Sequence, residues 1–202
     1  RSDETRIEAM QLSPLELVVD QGLVQGHNPR DLRFQFARAL EGLRDHHLLL
    51  NGMPWEDARA LFAAAMALGL GDEGAEFAIR TGAEGERIEF WADFLVENLD
   101  EDALAQLVSF AAPVGVQGPR AFETWASATR RLSNRVAFVL SGDFARAITL
   151  LQREDETLRG IRLNGPEGFR ALMEASPEVA DLYRYAFSTR FHALLGALPD
   201  AS

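Results

Sequence analysis

The chain has 202 residues, of which 47% are hydrophobic and 25% charged, enough for one domain of ordinary size whose core needs no covalent staples. It contains no cysteine, which excludes disulfides, thiolate zinc sites and cysteine nucleophiles together. All 20 basic residues are arginine and they face 31 Asp plus Glu, for a formal charge of −11; this disfavours binding to nucleic-acid backbones, which need clustered positive charge, and excludes lysine Schiff-base chemistry.

In chain order, residues 1–14 read as a flexible extension or a cut boundary, because Arg1 to Gln11 is polar and carries no targeting pattern. Residues 15–198 read as one helical domain and 199–202 as a tail. Leu15 to Val19, rich in β-branched residues and followed by Asp20-Gln21-Gly22 and Leu23-Val24, predicts a short N-terminal β-hairpin. Asn28-Pro29-Arg30-Asp31 is a helix start: Asn28 caps, Pro29 suits the first helical position and Asp31 complements the positive end of the dipole. The helix is expected to run to Asn51-Gly52, with Leu32, Phe36, Ala39, Leu40 and Leu43 forming one apolar stripe. Pro54 opens a second helix, Trp55 to Leu68, apolar on nearly every face from Ala60 to Ala67.

Gly69, Gly71, Gly74, Gly82 and Gly85 mark a looser zone with at most one short helix. Arg87 to Leu99, with Ile88, Trp91, Phe94 and Leu95 on one side, and Glu101 to Ala112 then form a helical pair, the second capped by Asp100, before a break at Pro113 to Pro119. A long helix, Arg120 to Leu140, is closed by Ser141-Gly142, and Asp143 caps a shorter one. Arg153 to Pro166 is a charged loop, followed by helices Glu167 to Glu174, Pro177 to Phe187 and Thr189 to Leu198. The expected fold is therefore mainly α, about eight helices around one core with a minor β element. No run approaches the roughly 18 apolar residues of a membrane span, and a cytoplasmic location is expected.

Reactive groups are sparse. Asp45-His46-His47 offers a polar helix end, a metal ligand or an acid/base pair, although adjacent helical residues point about 100° apart and do not share one ion. Gly69 to Gly74 satisfies G-x-G-x-x-G by letter, but no strand is predicted before it and Asp72 and Glu73 stand where a pyrophosphate would lie. No G-x-S-x-G elbow or phosphate loop is present. Glu97, Asp100, Glu101 and Asp102 form an acidic knot that suits either a cation or a capped helix start.

The order of hairpin, long helix, second helix and a later helix with Asn134-Arg135-Val136-Ala137-Phe138-Val139-Leu140-Ser141-Gly142-Asp143 resembles the HtpX-like zinc metallopeptidases and their soluble relatives. In that family one helix bears H-E-x-x-H and a later one E-x-x-x-D. The resemblance places Arg38 and Gly42 at the two histidines, Ala39 at the general base, Arg130 at the third ligand and Asn134 at the aspartate. It implies a degenerate metallopeptidase scaffold, of the kind appended to large bacterial tetratricopeptide-repeat proteins, with no catalytic, metal or cofactor residue. Arg38 and Arg130 would then share a cleft and pair with acids such as Glu41, or bind an anion.

The function expected is that of a non-enzymatic scaffold that binds another protein. Met53, Trp55 and Phe62, or Tyr183, Tyr185, Phe187 and Phe191, are the candidate contacts, because aromatic and Met residues dominate interfaces. A metal-dependent hydrolase built on His46 or His47 and a packing segment of a helical-repeat protein are the alternatives.

Overall fold

The computed structural model describes residues 7–10, 16–19, 28–44 and 47–197. Two four-residue strands, β1 (Ile7–Met10) and β2 (Glu16–Val19), pair antiparallel with Ile7 opposite Val19. The expected turn at Asp20 to Gly22 and the strand at Leu23-Val24 lie outside the described residues, so β2 is seen paired with the segment before it. Among the described residues eleven α-helices follow: α1 (Pro29–Gly42), α2 (Leu48–Gly52), α3 (Trp55–Gly69), α4 (Gly74–Arg80), α5 (Gly85–Asn98), α6 (Glu101–Gly115), α7 (Ala121–Ser141), α8 (Phe144–Glu154), α9 (Pro166–Ala175), α10 (Pro177–Ala186) and α11 (Thr189–Ala197). The expectation of about eight is corrected upward, partly because the long first helix stops at Gly42 and restarts as α2. Pro113 does not break α6. Near a helix C-terminus a proline removes only one backbone donor, and the helix continues to Gly115.

The chain divides into two compact units, residues 1–47 with 129–202 and residues 48–128, and the division falls within α7. In the first unit, Phe34, Leu158, Leu172, Val179 and Leu182 are fully buried, and Phe138 stacks on Phe191 at 4.7 Å. Charge also organises this core. Arg30 meets Asp143 at 2.9 Å, Arg146 meets Asp31 at 3.4 Å and Arg38 meets Glu154 at 2.5 Å. The first turns of α1 and α8 therefore face each other, as do their later turns, which makes the two helices parallel neighbours.

The most buried face of α1 is not the expected apolar stripe, of which Leu32, Phe36, Ala39 and Leu43 are half-buried. The buried residues are Asp31, Phe34, Ala37 and Glu41, whereas Leu40 is 55% exposed. Acids with partners occupy places that an apolar pattern assigns to leucine. Farther on, Arg135 grips Asp181 with two hydrogen bonds of 2.9 and 2.6 Å, and its guanidinium lies 5.1 Å from the Tyr185 ring. The charged loop after α8 is tied down: Leu158 is buried, and Gln152 donates to the Leu158 and Ile161 carbonyls.

The second unit is built around α3. Its Ala58, Ala60, Ala63 and Ala64 are buried, and small side chains let α4, α5 and α6 all approach it. At Gly69 a Cβ would overlap that of Ala111, and at Gly74 it would overlap the Ala67 carbonyl. The glycines that read as loop punctuation are therefore also contact points. The larger side chains here form a narrow stack, Trp55 on Phe122 at 4.8 Å and Phe122 on Phe62 at 5.5 Å, beside Met66 and Phe77.

Candidate interaction face

Helix α5 contains no fully buried residue. Ile88, Trp91, Ala92 and Leu95 lie half-buried on the side toward α3, so three residues of the expected stripe lie there and its fourth, Phe94, does not. The outer side is not the polar face that a surface helix normally shows. Phe90 and Phe94, four residues apart and so on one stripe, are 62% and 45% exposed. Trp91 meets both edge-on, at 5.2 and 5.4 Å. Helical spacing puts Glu86, Asp93 and Glu97 within the same arc as Phe90 and Phe94, with Glu89 at its margin, and all four acids are exposed. Aromatic rings and carboxylates are thus interleaved on one surface.

The one arginine of this helix does not neutralise that surface. Arg87 donates to Glu84 at 3.0 Å and to Asp57 at 2.5 Å, and these acids, Glu84 first and Asp57 second, raise its already high pKa. From Glu84 to Asp102 there are eight acids and this single arginine. A shallow open groove lies at this end, lined by Asp57, Glu84, Glu86, Arg87, Phe90 and Trp91.

Helix α6 adds apolar surface of a different kind. Asp100 caps it through the Ala103 N–H at 2.8 Å, as expected for the acidic knot, but beyond Asp102 no charge occurs until Arg120. Ala111 is its one buried residue, while Val108 and Phe110, the latter at 67%, are exposed, as is Val116 just past its end. Past its first turn the outer side of α6 is apolar apart from Gln106 and Ser109, and an apolar helix face is ordinarily covered. The sequence signals for this face were the charge-free run Ala103 to Pro119 and the two apolar stripes of α5, of which only one fits against α3.

The aromatic residues singled out from the sequence are placed differently. Trp55 and Phe62 have ring faces engaged with Phe122, and Met53 is half-buried just before α3. Near the C-terminus Phe191 is buried, Tyr185 packs on it at 5.5 Å, and Tyr183 stacks with Phe187 at 4.8 Å. Phe187 alone of these is openly exposed, at 68%.

At the positions that the metallopeptidase resemblance marks, the residues present do not fit zinc. The Arg38 guanidinium is paired with Glu154 and lies over the Phe34 ring, Ala39 and Gly42 offer no side-chain donor, and Arg130 is paired with Glu178 at 3.9 Å. Asn134 is buried with its Oδ1 lacking a hydrogen-bond partner, a single lone-pair donor where a zinc shell needs several. Glu41 is not the partner of Arg38: it pairs with Arg44 at 3.1 Å and lies 3.7 Å from His47. His47 is buried with Nδ1 3.0 Å from the Glu41 carbonyl, while Asp45 and His46 lie outside the described residues. Among the described residues no group of three or more His, Asp or Glu is placed to hold a metal ion, and no helix is long and apolar enough to cross a membrane.

No protein-family model, curated protein or solved structure matches this chain.

Proposed function

We propose that the chain is a protein-interaction module, a scaffold of mainly helical structure that binds another protein through the outer sides of α5 and α6 in its 48–128 unit. The observation that carries this reading is the pair Phe90 and Phe94, held outward on a helix whose other apolar stripe already fits against α3. Aromatic rings anchor interfaces because they remove much apolar area from water at little entropic cost, and contiguous exposed ones mark interaction surfaces. The binding surface is thus assigned to residues other than Trp55 and Phe62, with Phe187 as a separate, smaller patch. The replacement of zinc ligands by Arg38, Gly42 and Arg130 supports a non-enzymatic role on a metallopeptidase-like scaffold.

A photo-crosslinking residue placed at position 90 in living cells tests the proposal. A discrete adduct with another protein is expected from position 90 and none from position 156, whose side chain is 87% exposed in the other unit. Equal labelling from both positions, or none from either, contradicts it. The exposed outer side of α6 also favours a second reading, a packing segment of a helical-repeat protein. In that case a crosslinker at position 110 gives adducts only within the same polypeptide.

A further inference from the structure

The acids on α5 say more about the partner than the rings do. We infer that this face takes a cationic amphipathic helix, one with an apolar stripe flanked by arginine or lysine; the inference rests on the reading of this face as an interaction surface. Its first support is charge complementarity. The 48–128 unit holds 4 arginines against 14 acids, a formal charge of −10, whereas the rest of the chain holds 16 against 17, a charge of −1. Nearly all of the protein's excess negative charge therefore belongs to the unit with the exposed rings.

The second support is placement. Glu86, Asp93 and Glu97 share the arc of Phe90 and Phe94, so a partner covering the rings must bring its own groups against those carboxylates. A neutral or acidic helix would strip water from them without compensation. A cationic one supplies charge-assisted hydrogen bonds to the acids, and its guanidinium or ammonium groups are attracted to the ring faces as well. Arg87, already engaged by Glu84 and Asp57, does not compete for these acids. A second copy of this chain is a poor occupant, because two α5 faces would bring Glu86, Glu89, Asp93 and Glu97 against their own counterparts. The grip expected is helix-in-groove, with anchors at i, i+3 or i+4 and i+7 packing on and around Phe90 and Phe94.

The test is a selection from a display library of helical peptides about four turns long, with randomised outer positions, against the whole 202-residue chain at physiological salt. The enriched peptides are then titrated by fluorescence anisotropy. They should combine an apolar stripe with an excess of arginine and lysine, and their affinity should fall as salt rises. Phe90→Ala with Phe94→Ala should weaken them by about tenfold or more. Asp93→Lys with Glu97→Lys should weaken them by a similar factor and flatten the salt dependence.

Enriched peptides with no basic excess that still need Phe90 and Phe94 would overturn the cationic partner and leave the interaction face standing. Peptides bound equally by the wild type and the ring-deleted variant would overturn both, the attraction then coming from net charge alone. Self-association abolished by the ring-deleted variant in sedimentation equilibrium would make a second copy the occupant, and would also overturn the proposal. Circular dichroism of both double variants, which change only solvent-facing or half-exposed positions, keeps loss of fold distinct from loss of binding.

Discussion

The two units of this chain use the same kinds of residue for opposite ends. In the unit formed by residues 1–47 and 129–202, acids and arginines are nearly balanced and many are joined to each other, and large side chains such as Phe34, Leu172 and Leu182 are fully buried. In the 48–128 unit the buried face of the central helix is alanine, acids outnumber arginines more than threefold, and phenylalanines stand on the outside. The first arrangement pairs much of its charge within the fold, although it too exposes apolar side chains such as Leu40, Leu140 and Phe187. The second leaves excess acid and exposed aromatic rings together on one helix, and so binding is assigned to it.

The contrast is sharpest between phenylalanines. Phe34→Ala empties a fully enclosed site and should cost about 3–5 kcal/mol, read as a lower urea midpoint with an unchanged slope. Next in size is Gly69→Val. Removing glycine from a helix usually helps, but here any Cβ overlaps Ala111, so the expected effect is a loss of about 1–3 kcal/mol. A gain would show that α6 is free to move away from α3. Breaking the two-bond grip with Arg135→Met leaves the Asp181 carboxylate without its partner and should cost about 1–3 kcal/mol at neutral pH.

A smaller effect with a defined pH signature is expected at Asp143. The Arg146 backbone N–H and then the Arg30 side chain hold its carboxyl below the ordinary value of 3.8. A lowered folded-state pKa means that the stabilisation is fully present above the unfolded value and disappears as pH falls through the folded one. Asp143→Asn, which keeps a capping oxygen, should therefore be less stable than wild type at pH 7, with the gap closing below about pH 4. A gap that stays constant into acid would mean that the cap, not the charge, carries the effect. Smallest is the response to salt. Screening should stabilise the −10 unit by a few tenths of a kcal/mol while barely changing the balanced one, which hydrogen exchange resolves residue by residue.

Local chemistry made much of the fold legible. Asn28, Asp100 and Asp143 each cap the helix their position suggests, through N–H groups at 2.9, 2.8 and 3.1 Å, and Gly142 ends α7 with a positive φ of 66°. The last three helices fall where Pro166, Pro177 and Thr189 place them. What was not legible depends on partners distant in sequence. The buried Asp31 of α1 finds its partner in Arg146, 115 residues away, which no local apolar count detects.

The interaction face was missed for a related reason. Trp91 and Phe94 read as one apolar stripe, and only the position of α3 shows that Trp91 faces inward while Phe94 and Phe90 do not. Trp55 and Phe62 looked equally suited to binding, yet Phe122 occupies them. Composition shows that aromatic residues exist, and packing decides which remain available.

The claim that these rings belong to an uncovered surface is tested most directly by the unfolding free energy of the Phe90→Ala, Phe94→Ala double variant in urea. Exposed side chains away from special contacts change stability by no more than about 0.5 kcal/mol each, so the double variant should lie within about 1 kcal/mol of wild type. A loss of about 4 kcal/mol or more, the scale of a buried phenylalanine, would place the rings in the core and contradict the account.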